Sequence, residues 1–144
     1  MVFQGKRFNE ISIGETFGNR LTVTESHIVQ GAGLFGDFNP LHVDKEFCKS
    51  SRFKEPILHG PLTSALISAS VGQFFSGTAI AYLEHNCVFK APVKAGDTLT
   101  TQWTIADKQL KEKIEAGIVS MNAVCINQDK ITVAEASGKI ILII

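Results

Sequence analysis

Along residues 98–105 the side chains alternate, with Leu99, Thr101, Trp103 and Ile105 on one face and Thr98, Thr100, Gln102 and Thr104 on the other. A period of two predicts a strand with one buried face. Three further segments carry the same β signature: IAYLEHNCVFKA (80–91), KIEAGIVSMNAVCI (113–126) and ITVAEASGKIILII (131–144). The pieces between them, VKAGD, DKQLKEK and NQDK, are turn-rich and short enough for hairpins.

Upstream the pattern changes. TFGNRLTV, Thr16 to Val23, predicts a first strand, and Thr24 is a natural N-cap for a helix through ESHIVQGAGLFG. That helix cannot run far past Asp37, because Pro40 disfavours helical backbone at Asn39. KEFCKSS, Lys45 to Ser51, predicts a short helix, and RFKEP a loop. From Pro56 to Leu83 there is no Asp, Glu, Lys or Arg. Its length could span a bilayer, but its Gly, Pro, Ser and Gln leave only a helix from about Pro61 to Phe75, too short and too polar to cross. A helix uncharged on every side predicts one enclosed by its own protein. The expectation is an α+β fold, an antiparallel sheet around one buried helix, with most of the sheet following that helix.

Composition narrows the partners. At 144 residues the chain suits one domain, 1–144, that buries roughly 70% of the surface of its unfolded form. Lys plus Arg equals Asp plus Glu, 14 each, so no global field favours nucleic acid or an anionic membrane. MVFQGKRFNE lacks a secretory apolar stretch, and Cys48, Cys87 and Cys125 are odd in number without metal-type spacing. These features predict a reduced cytoplasmic protein whose cysteines are small core residues. No repeat or low-complexity tract interrupts it.

Candidate chemistry concentrates in GDFNPLHVD, Gly36 to Asp44. Asp37 and His42 would stand about 17 Å apart on an extended chain, but the Asn39-Pro40 pair favours reversal and could bring them to either side of a small reacting group. A carboxylate and an imidazole suit acid–base work at neutral pH. The same residues equally suit a polar turn, since Asp and Asn bond readily to nearby backbone. Asp37, His42, Asp44, His59 and His85 show no recognised ligand spacing, so no metal is expected.

Gly60, Ser64 and Ser68 recur at i, i+4 and i+8, a small polar stripe down the predicted central helix. Close packing of a sheet would explain it, and so would a substrate face. The start of that helix, HGPL, offers a bare Gly60 N–H followed by Pro61, an end suited to a negatively polarised oxygen. Phe74, Phe75 and Tyr82 fit either the floor of a short pocket or the core.

GDFNPLH, EPILHGPLTSALIS and YLEHNCVFKAPVKAGD together resemble the MaoC-like dehydratases, specifically the (R)-specific enoyl-CoA hydratases, over nearly the whole chain. The resemblance implies a hotdog fold, a homodimer, and reversible addition of water to trans-2-enoyl thioesters without a cofactor. It implies Asp37 and His42 as the catalytic pair, the Gly60 N–H on the thioester carbonyl, and Ser68 and Asn39 beside the substrate. Pro61 departs from the larger apolar residue expected there. Adding water needs a base for the water, an acid for the α-carbon and a donor for the enolate-like oxygen, so the implied residues match the chemistry. Asp37 is assigned as base in hydration and His42 as acid.

Three other readings compete. A thioesterase on this fold can use a carboxylate on the central helix, and this helix has none. A dehydratase acting on acyl carrier protein is the same reaction with another handle, for which Arg52, Lys54, Lys90 and Lys94 are candidate contacts to an acidic carrier or to CoA phosphates. A non-catalytic acyl-thioester binding subunit would have no need of both Asp37 and His42.

Overall fold

The computed structural model describes residues 4–144, so the first three residues of the N-terminal segment lie outside the described residues. After a 3₁₀ turn at Phe8–Glu10 come strand β1 (Thr16–Thr22), helices α1 (Glu25–Phe35), α2 (Pro40–Val43), α3 (Lys45–Ser50) and α4 (Gly60–Phe74), then strands β2 (Ala79–Phe89), β3 (Thr98–Lys111), β4 (Ala116–Ile126) and β5 (Thr132–Ile143). The strands form one antiparallel sheet in the order β1-β3-β4-β5-β2.

Helix α4 lies on one face of this sheet. Ile67, Val71 and Phe75 are buried with Trp103, Ile105, Met121, Ile140 and Leu142 from the strands. Trp103 adds a directional contact, its indole N–H donating to the Ile67 carbonyl at 3.1 Å. The alternation in β3 holds: Leu99, Thr101, Trp103 and Ile105 are all buried. This is the expected α+β hotdog arrangement, with a central helix of 15 residues and three shorter ones before it.

Four expectations change. Residues 93–97, VKAGD, do not close a hairpin, because β2 pairs with β5 at the sheet edge while β3 pairs with β1 and β4. The segment instead crosses from one side of the sheet to the other, held by Leu58 N–H on the Val93 carbonyl at 2.7 Å and by a tight turn at Gly96, whose φ of 97° favours glycine. DKQLK is not a turn: β3 runs on to Lys111 past a bulge between Ile105 and Asp107, and the chain reverses at Glu112–Glu115. The Asn39-Pro40 pair opens a one-turn helix, with Asn39 as N-cap and Pro40 at its first position. Finally, α4 is not enclosed within the single chain, since Pro61, Ala65, Ala69 and Gly72 expose one of its faces.

Candidate active site

The site is assembled where α1 ends and α4 begins. Thr24 caps α1, its backbone N–H donating to His27 Nδ1 at 2.9 Å, the reciprocal half of a capping box with histidine in the usual Glu position. Gly36, at φ 76°, ends the helix with its N–H on the Ala32 carbonyl. The chain thus turns sharply into Asp37.

Asp37 Oδ1 accepts the Asn39 backbone N–H at 3.2 Å, and Asn39 Oδ1 in turn accepts the Leu41 N–H at 3.0 Å. His42 closes the one-turn helix with its Nδ1 on the Ile57 carbonyl at 2.7 Å. A carbonyl only accepts, so Nδ1 carries a hydrogen and Nε2 is the free end of the ring. That end stands 3.8 Å from Asp37 Oδ2. The separation is too long for a direct hydrogen bond, yet one water-sized oxygen beside the two atoms would reach both. Asp37 is half exposed and His42 largely buried, so the pair faces outward from a fixed base.

Behind the pair lies His59, fully buried at the foot of α4. Its Nε2 bonds the Asp37 carbonyl at 2.9 Å, and its ring stacks on His42 at 3.7 Å with 28° between planes. Phe35 meets it edge-on at 4.9 Å. In the sequence His59 stood out only as part of the HGPL helix start and as one of five residues without ligand spacing, and nothing local signals that it lies against Asp37 and His42.

Gly60 is the first residue of α4, where its N–H has no partner within the helix. A Cβ there would come within 3.1 Å of the Phe89 ring, so β2 approaches the helix closely on this side. The next stripe position repeats this: Ser64 Oγ meets His85 Nε2 at 2.6 Å, and Tyr82 OH meets His85 Nδ1 at 3.0 Å. Burial lowers the pKa of His85 and pushes that of Tyr82 up to about 12, so the phenol stays neutral.

Ser68 lies eight residues along α4 from Gly60, about 12 Å along the axis, and its Oγ donates to the Ala65 carbonyl at 3.0 Å. There it borders a cleft of about 320 Å³ with Val71, Gly72, Tyr82 and Ile140. Asn39 is committed to the backbone of its own turn through Oδ1. Phe75 belongs to the core and Phe74 stacks on Phe17 at 4.1 Å, which leaves Tyr82 alone of the three aromatics in the cleft wall. A second cleft, about 420 Å³, opens beside His42 between Ile28, Val29, Phe38, Val43 and Pro56.

Ligand atoms of Asp37, His42 and His59 come within 4.8 Å of one another, a grouping invisible in their spacing. The donor set does not suit a metal: His59 Nε2 must carry its hydrogen to bond the Asp37 carbonyl, and its Nδ1 is turned against Gly31, which leaves two ligands where tetrahedral sites use three or four. Cys48 and Cys125 are buried as core residues, as expected, while Cys87 is only partly buried. Burial raises all three, most simply at Cys48, where Asp44 adds to the effect. Among the basic residues, Lys94 pairs with Glu55 at 2.7 Å and Lys90 with Glu135 at 3.1 Å, while the Arg52 guanidinium lies over Phe53.

Residues 9–125 match the family described as MaoC like domain. The chain is 38% identical over 98 residues to an (R)-specific enoyl-CoA hydratase of Rhodospirillum rubrum, covering 68% of each. Against the (R)-specific enoyl-CoA hydratase of Aeromonas caviae it is 42% identical over 71 residues, which is 49% of this chain and 53% of that one. An R-hydratase structure from Pseudomonas aeruginosa superposes with a TM-score of 0.84 at 29% identity, covering 95% of this chain and 85% of that one.

Proposed function

Because the chain belongs to the MaoC-like dehydratase family, we propose that it hydrates trans-2-enoyl-CoA to (3R)-hydroxyacyl-CoA, reversibly, with Asp37 and His42 as its acid–base pair. The observation that carries this reading is the 3.8 Å gap between Asp37 Oδ2 and His42 Nε2, set beside the N-terminus of α4.

In hydration, Asp37 takes a proton from water as the oxygen bonds to the β-carbon. His42, in its protonated form, gives the Nε2 proton to the α-carbon. The Gly60 N–H, aided by the positive end of α4, holds the oxygen on which negative charge builds. The products are one C–O bond and one C–H bond; the proton left on Asp37 returns to His42 across the gap, so the pair is restored. Both groups stand on one short segment and meet the flat enoyl thioester from the same side, which gives syn addition. The step uses no cofactor.

The protein acts as a single domain in the cytoplasm, a compartment that suits its three free thiols; among the described residues no helix is long and apolar enough to cross a membrane. It works as a homodimer. Support comes from the edge strand β2, which exposes Ile80, Leu83, Val88 and Phe89 next to the uncovered face of α4.

The test is hydration of crotonyl-CoA in D₂O with a chelator present, followed by chiral analysis and NMR of the α-carbon. The expected product is (3R)-3-hydroxybutyryl-CoA carrying deuterium added syn. An (S)-product, anti addition, a requirement for a divalent cation, or no turnover at all would refute the proposal; the last would leave an acyl-thioester binding subunit.

A further inference from the structure

We infer that His59 is the positioning residue of the site: a single buried imidazole that locks the base, the acid and the oxyanion donor into one rigid unit. The inference rests on Asp37 and His42 being the acid–base pair.

Nε2, one ring face and the backbone of His59 each make a separate contact. Nε2 donates to the Asp37 backbone carbonyl at 2.9 Å and so fixes the chain from which the carboxylate projects. One ring face lies on the His42 imidazole at 3.7 Å and sets its plane, while the Ile57 carbonyl holds His42 Nδ1 in that plane. The backbone of His59 caps α4, its carbonyl accepting from the Thr63 N–H at 2.9 Å and from the Thr63 hydroxyl at 3.2 Å. The next N–H along is that of Gly60. A displacement of the ring would therefore move three catalytic groups relative to one another.

The remaining nitrogen argues against a role for His59 in packing alone. Nδ1 is buried with no hydrogen-bond partner among the described residues, and it faces Gly31, where an added Cβ would lie 3.3 Å from it and 2.8 Å from Leu62. A buried polar atom without a partner is unfavourable, so an apolar residue of this volume would serve the core better. The imidazole is explained by what Nε2 and the ring face do for Asp37 and His42. Because its Nε2 hydrogen is committed to the Asp37 backbone carbonyl and its Nδ1 faces Gly31, His59 positions without taking part in proton transfer.

Three substitutions separate its contacts. In His59→Gln the side-chain amide can still donate to the Asp37 carbonyl, but the stack is lost. In His59→Phe the stack is kept and the donor is lost. In His59→Leu both are lost. With crotonyl-CoA, kcat is expected to fall about tenfold in each of the first two and about 10²-fold in the third, the scale of a misplacement near 1 Å, while KM changes by less than about threefold. Urea midpoints normalise each rate to folded protein. Combined with Asp37→Asn, His59→Leu should cost little more, because the geometry it protects has already lost its base. A folded His59→Leu enzyme with kcat within twofold of the parent overturns the inference. So does a loss confined to KM, or a full tenfold-or-greater additional loss on top of Asp37→Asn. If His59→Leu does not fold, the Gln and Phe variants decide alone, by the same kcat and KM criteria. His42→Ala run in parallel keeps the two readings apart: if it retains normal turnover, the acid–base pair itself is wrong; if it fails while the His59 variants do not, only the positioning role is.

Discussion

Replacing Asp37 by Asn removes the proposed base and very little else. The amide oxygen can keep the bond from the Asn39 N–H, now 3.2 Å long, and the side chain is half exposed, so neither cavity nor buried charge results. An ion pair that open, at 3.8 Å, contributes at most about 1 kcal/mol, which would move a urea midpoint by less than about 1 M. Losing a placed general base instead lowers turnover by about 10²–10⁴-fold, or about 3–5 kcal/mol of transition-state stabilisation. Rate and stability should therefore separate by several-fold in free energy. The assay follows the loss of the enoyl thioester's ultraviolet absorbance on hydration of crotonyl-CoA, at saturating and at limiting substrate, beside urea unfolding of the same preparation. Adding His42→Ala to Asp37→Asn should cost little further, because both groups act on one water and one substrate. A folded Asp37→Asn enzyme within tenfold of the parent, or two losses that simply multiply, would refute the acid–base pair.

Ile67→Ala, at a fully buried position in the middle of α4, should destabilise the protein by about 2–5 kcal/mol in urea unfolding, with the rate per folded molecule unchanged; a loss under about 1 kcal/mol would mean that α4 is not the centre of the core. His85 sits between Ser64 and Tyr82 with its pKa lowered by burial from the ordinary 6.5. Below about pH 6.5 the unfolded chain takes up a proton that the folded one still refuses, so stability should fall as pH drops through that value and be insensitive to His85 above it. His85→Gln should flatten that decline in thermal melts between pH 5 and 7 (an assay range of about two units around the ordinary value), and an unchanged slope would exclude His85 as its source. Ile80→Lys combined with Leu83→Lys places charge on the exposed edge strand and should yield monomer by light scattering where the parent is a dimer; a parent that is itself monomeric at micromolar concentration would end the dimer proposal.

What local chemistry governs could be read directly from the chain. The alternation from Leu99 to Ile105 specified a strand and its buried face, because side chains on a strand point to opposite sides whatever its neighbours are. Thr24, Pro40, and the HGPL start of α4 marked boundaries within a residue or two, since caps and proline act on the adjacent backbone. The GDFNPLH segment marked Asp37 and His42 as candidates, and the structure brings their side chains to 3.8 Å of each other.

Tertiary structure decided what each local element meets. No local rule distinguishes a hairpin from a crossover of eight residues, so VKAGD looked like a hairpin although β2 finds its partner in β5, about fifty residues further on. The stripe on α4 was legible as a stripe, but the sheet alone determined that Gly60 faces Phe89, that Ser64 faces His85, and that Ser68 shares a cleft with Tyr82. His59 is the plainest case. Its place beside Gly60 is written in the sequence, while its bond to Asp37, 22 residues earlier, and its stack on His42 exist only once α1 and α4 are packed together. Sequence periodicity records which side of an element is buried; it carries no address for the atoms that will bury it, because those are fixed by strand pairing and helix packing over the whole chain.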